Sequence, residues 1–75
     1  IVKYLHKLGK KAIEFLWYND SFTVDMIDTI AIGVSSRQEF LRIMTVDNQC
    51  IVRRRNGYIK TQGFKELLMG LRDDK

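Results

Sequence analysis

The chain has 75 residues, 45% hydrophobic and 29% charged, with 13 Lys and Arg against 9 Asp and Glu, a net charge of +4. That length holds one small domain, 1–75, of ordinary globular composition. One cysteine and one histidine exclude an internal disulfide scaffold and a Cys/His zinc cluster, and no apolar run reaches the ~18 residues of a membrane span.

The first helix carries Leu5, Leu8, Ala12, Phe15 and Leu16 at helical spacing, with Ile13 beside them and Lys3, Lys7, Lys10 and Glu14 opposite. Gly9 is tolerated inside it at a cost of about 1 kcal/mol relative to alanine. Tyr18-Asn19-Asp20-Ser21 reads as a turn that stops the helix near Asn19 and leaves Trp17 and Tyr18 at the core edge. Ser21-Phe22-Thr23 is extended, with Phe22 pointing inward. Thr23 caps a second helix, where Asp25 suits the positive end of the dipole. Its buried stripe is Val24, Ile27, Ile30 and Ala31, and Gly33 ends it.

Ser36-Arg37-Gln38-Glu39 has the S-x-x-E form of a reciprocal capping box and opens a third helix over 36–47. Phe40, Leu41 and Met44 face inward, with Ile43 at the border and Arg37, Gln38, Arg42 and Thr45 on the other side. Asn48 is the expected left-handed cap. Cys50 to Arg55 then reads as a strand, Asn56-Gly57 as a two-residue turn and Tyr58-Ile59-Lys60 as the return strand, a hairpin over 50–60. With Asn56 and Gly57 central, Arg55 pairs with Tyr58, Arg54 with Ile59 and Arg53 with Lys60. Arg53, Arg55, Tyr58 and Lys60 then share one face, and Val52, Arg54 and Ile59 the other. Thr61 caps a last helix with Phe64, Leu67, Leu68 and Leu71 at i, i+3, i+4 and i+7. Asp73 and Asp74 oppose its dipole, so its end is expected to fray.

The positive charge is concentrated. Residues 37–65 hold Arg37, Arg42, Arg53, Arg54, Arg55, Lys60 and Lys65 against Glu39 and Asp47, a net of +5, whereas residues 21–36 hold only Asp25 and Asp28. Arginine forks match phosphates and guanine edges in a way that a lysine point charge does not. Catalytic patterns are missing: there is no Gly-rich phosphate loop or catalytic carboxylate pair, and a triad would need His6 in a cleft deeper than so small a domain builds. The expectation is a non-enzymatic, intracellular binding module with no cofactor and no metal. Cys50 is expected to be a small core residue.

The order helix, short strand, helix, helix, arginine-rich hairpin, helix resembles the winged-helix (winged helix-turn-helix) DNA-binding family. The residues that carry the resemblance are Thr23–Gly33 as scaffold helix, Val34-Ser35-Ser36 as turn, Ser36–Asp47 as recognition helix and Cys50–Lys60 as wing. Asn56 to Leu68 is similar to the return strand and final helix of small regulators in that family, although Lys60 stands where the family usually carries an apolar residue. The small size also resembles compact archaeal and archaeal-virus members. The resemblance implies an α+β fold, a three-helix core with a β-hairpin wing and a C-terminal helix.

It further implies double-stranded DNA as partner and transcriptional regulation as role, with helix 36–47 in the major groove. Arg37 and Arg42 would fork onto guanine, Gln38 onto adenine, Thr45 would reach phosphate or a thymine methyl, and Ser35 would reach phosphate. Arg53, Arg54, Arg55 and Lys60 would meet the backbone or the adjacent minor groove. The first and fourth helices are the candidate homodimer surface. The alternative is a protein–protein interaction winged helix in a larger replication or transcription assembly, its arginines facing an acidic partner. The start at Ile1 rather than Met keeps that alternative open.

Overall fold

A computed structural model describes residues 1–73. Helices α1 (Val2–Leu8) and α2 (Lys10–Tyr18) lead to a two-residue strand β1 (Ser21–Phe22) and helix α3 (Val24–Ala31). Helix α4 (Arg37–Leu41) continues directly into a π-helical segment (Arg42–Asp47), followed by strands β2 (Ile51–Arg54) and β3 (Gly57–Lys60) and helix α5 (Gln62–Asp73). The three strands form one antiparallel sheet in the order β1-β3-β2. The fold is therefore α+β, with the helices on a small sheet. The tail expected to fray falls on Asp73, where α5 ends, and on Asp74, which lies outside the described residues.

The core follows the periodicities closely. Leu5, Leu16, Phe22, Ile27, Phe40, Met44, Ile51, Phe64 and Leu68 are each less than 2% exposed or close to it, and Ile13, Ile30, Ala31 and Cys50 complete the cluster. The threonine caps expected for α3 and α5 are both made. The Thr23 hydroxyl accepts the Met26 N–H at 3.2 Å and the Thr61 hydroxyl accepts the Phe64 N–H at 3.3 Å, so orphan donors of α3 and α5 are satisfied. Gly33, at φ 78°, follows the end of α3 as expected.

The first helix is not continuous. Gly9 sits at φ 102°, ψ 164°, outside helical space, and splits the segment into α1 and α2. The break rotates α2, so Ile13 and Leu16 are buried and Phe15, expected in the core, is 36% exposed. Tyr18 is likewise on the surface, and so is Val24 at the start of α3. Asn48 does not take the left-handed position; Gln49 does, at φ 51°.

The hairpin register is shifted. The central turn residues are Arg55 and Asn56, and the pairs are Arg54 with Gly57, Arg53 with Tyr58, Val52 with Ile59 and Ile51 with Lys60. The shift moves each cross-strand partner by two positions, so the faces are conserved while Arg55 leaves the ladder for the turn. The cause is β1. Gly57 lies so close to the Phe22 carbonyl that no side chain fits there, which fixes it as the first residue of β3.

Lys60 is the main correction on this sheet. It shares a face with Arg53, but that face dips into the core between them, and Lys60 is only 7% exposed. Its ammonium donates to the Trp17 carbonyl at 2.6 Å, a carbonyl in the last turn of α2, with the Asp20 carboxylate 3.7 Å away and the Trp17 ring 5.5 Å away. The aliphatic stem fills the apolar position and the charged end caps a helix. Lys60 is thus an internal strut and is not on the exposed surface of the hairpin.

Burial pushes the Lys60 ammonium below the ordinary lysine pKa, with the Asp20 charge opposing the shift. The native state then binds fewer protons than the unfolded chain between that depressed value and about 10.4, so stability rises with pH across that interval. Lys60→Met keeps the stem and leaves the Trp17 carbonyl without its donor. At pH 7 it is expected to cost about 1–2 kcal/mol. Thermal melts should show the deficit, together with loss of the wild-type stability rise towards pH 10.

Candidate nucleic-acid interface

Helices α3 and α4 are joined by the turn Ile32–Ser36 and bridged by a solvent-exposed ion pair. Arg37 donates through Nε and Nη2 to the two oxygens of Asp28, at 2.8 and 2.6 Å. This fork lowers the Asp28 carboxyl pKa and raises that of the guanidinium, the hydrogen bonds being the largest cause in both. Ser36 accepts the Glu39 N–H at 3.1 Å, half of the expected capping box. The return bond from the Glu39 side chain is not made.

Ser35 is held from the other side. It is half-buried and shares a hydrogen bond with the Tyr4 hydroxyl of α1, whose ring packs at 6.2 Å from Phe40. Burial raises the Tyr4 pKa, the Ser35 bond opposes that, and the Glu39 charge adds to it. Ser35 therefore positions the turn; its hydroxyl already has a partner. Thr45 is similar: its hydroxyl donates back to the Leu41 carbonyl within its own helix.

The second half of this helix widens to the π form, a geometry that often marks functional segments. Two side-chain contacts fit its i, i+5 repeat. Asn48 donates to the Ile43 carbonyl at 2.9 Å, and Arg42 pairs with Asp47 at 3.1 Å. Both arginines of the helix are consequently neutralised by acids of the same chain. Gln38 is exposed and makes no side-chain hydrogen bond among the described residues.

The hairpin differs. Arg53, Arg54 and Arg55 are all exposed, and among the described residues none lies within ion-pair reach of an acid. Arg53 sits on the inner face opposite Tyr58, Arg54 on the outer face with Nη1 on the Arg53 carbonyl at 3.2 Å, and Arg55 in the turn. Tyr58 is half-buried against the core and close enough to Arg37 to add to its raised pKa. A shallow depression of about 350 Å³ separates the tip from β1, with Ser21, Thr23, Arg54 and Arg55 among its lining residues.

No protein family, curated protein or solved structure matches the chain. Among the described residues no His, Cys, Asp and Glu cluster could hold a metal ion, and no helix is long and apolar enough to cross a membrane. Cys50 is buried, and burial pushes its thiol pKa up to about 11, which keeps it from being a nucleophile.

The residues expected at a DNA interface are thus in unequal states. Among the described residues Arg53, Arg54, Arg55 and Gln38 have no acidic or polar side-chain partner, Arg37 and Arg42 are ion-paired, Ser35 and Thr45 are engaged in the framework, and Lys60 is inside. The first and last helices, expected as a dimer surface, turn Leu16, Phe64 and Leu68 into the core and leave Phe15 and Met69 exposed. Glu39, read as a capping-box partner and counted among the acids of residues 37–65, is exposed and makes no return bond to the cap.

Proposed function

We propose that the chain is a winged-helix domain that binds double-stranded DNA and regulates transcription. The helix from Arg37 to Asp47 meets the major groove, and the β2–β3 hairpin meets the phosphate backbone or adjacent minor groove. The observation that carries this reading is the division of the arginines. A solvated surface in a chain with nearby acids lets its guanidiniums pair, as Arg37 and Arg42 do, yet three successive exposed hairpin arginines have no acid partner among the described residues. An edge hairpin needs only one or two charges to avoid aggregation. Three are suited to a polyanion.

The two surfaces then divide the work. Wing arginines supply sequence-independent affinity, whereas Gln38, and Arg42 on release from Asp47, supply base contacts. The test is a fluorescence-anisotropy titration against random-sequence duplex at several salt concentrations between about 50 and 200 mM. Affinity should fall with a log–log slope of roughly −3, as expected for three to four phosphate contacts. Absence of binding at the lowest salt would overturn the reading and favour an acidic protein partner.

A further inference from the structure

Glu39 is an anomaly on a surface meant for a polyanion. It lies in the first turn of α4, exposed, between Gln38 and the Arg42 side of the helix. Each cation near it in sequence is engaged elsewhere. Arg37 forks onto Asp28, and Arg42, three residues on, reaches forward to Asp47. The π segment makes that choice, because it aligns positions five apart. The Glu39 backbone N–H is capped by Ser36, but its carboxylate has no protein partner among the described residues. A favourable dipole interaction at a helix start is one role such a carboxylate can fill.

Facing DNA, that carboxylate is selective because it is repelled almost everywhere. Phosphates, guanine O6 and N7, and thymine O4 are all acceptors or anions. Cytosine presents its N4 amino group as a donor in the major groove, while adenine offers a donor beside an acceptor, a pattern that an amide matches better. Resting on the DNA-binding reading above, we propose that Glu39 is a specificity-determining residue that selects cytosine at one base pair. It works largely by penalising the other bases, which is discrimination through a repulsive element.

The experiment is selection from a randomised duplex pool by wild type, Glu39→Gln and Glu39→Ala, with sequencing of the bound fractions and circular dichroism melts of all three. The substitutions keep the backbone N–H that Ser36 caps. Wild type should enrich one position for cytosine about tenfold. Glu39→Gln should move that position towards adenine, and Glu39→Ala should lose the preference while binding the unselected pool several-fold more tightly. A purely structural carboxylate would change the melts and leave base preference untouched. Identical bound sequences for all three proteins overturn the assignment of Glu39 alone. Failure of wild type to retain any duplex at low salt overturns the DNA-binding reading with it.

Discussion

Replacing Arg53 and Arg55 together with alanine is expected to weaken binding to every duplex sequence by about a hundredfold at low salt and to lower the salt slope by roughly 2. The reasoning is electrostatic. Each guanidinium that neutralises a phosphate releases about one counterion, so removing two reduces both the affinity and its salt dependence. Because phosphate contacts carry no base information, the rank order of sequences should be unchanged. Neither side chain contributes to the core, so the melting temperature should stay close to wild type. Arg54→Ala provides the internal comparison. Its side chain leaves the opposite face of β2, so its loss should cost less than that of Arg53. Equal binding by wild type and the double variant would remove the hairpin from the interface.

Much of this fold was legible locally, and the exceptions have tertiary causes. Thr23, Ser36 and Thr61 were readable as caps because a hydroxyl two or three residues ahead of a free N–H satisfies it with no help from the rest of the chain. The stripes Ile27–Ile30–Ala31 and Phe64–Leu68 were readable because a helix face is set by spacing alone. Gly9 was not. Its intrinsic penalty of about 1 kcal/mol does not decide between a tolerated glycine and a break. The decision came from where Leu5 and Leu16 had to point to meet the same core.

The site divides in the same way. The exposure of Arg53 to Arg55 followed from composition, since a strand with three successive arginines cannot be covered. The pairing of Arg37 with Asp28 joins residues nine apart across a turn, and that of Lys60 with Trp17 joins residues 43 apart. Alternation put Lys60 correctly on the face of Arg53. It could not show that this face passes from solvent into the core within the length of β3.

Gly57→Ala is expected to be the most damaging single substitution, costing about 3–5 kcal/mol and lowering the melting temperature by roughly 15–30 °C for a domain of this size. Gly57 adopts φ 150°, and an added Cβ would run into the Phe22 carbonyl. The obstacle is backbone, so no rotamer change relieves it. Either β3 shifts or β1 detaches, and β1 has β3 as its one partner strand. Detachment would carry the buried Phe22 ring towards solvent, and a fully buried aromatic is worth up to about 3 kcal/mol. Asn56→Ala separates this account from the turn that the Asn-Gly pair alone suggests. In that turn Asn56 would need positive φ, and alanine would be strained there by about 1 kcal/mol or more. With Arg55 and Asn56 as the central residues, Gln49 is the one non-glycine residue at positive φ among the described residues. Asn56→Ala should therefore melt within a few degrees of wild type while Gly57→Ala does not, because the glycine is required by the approach of β1 and not by the turn.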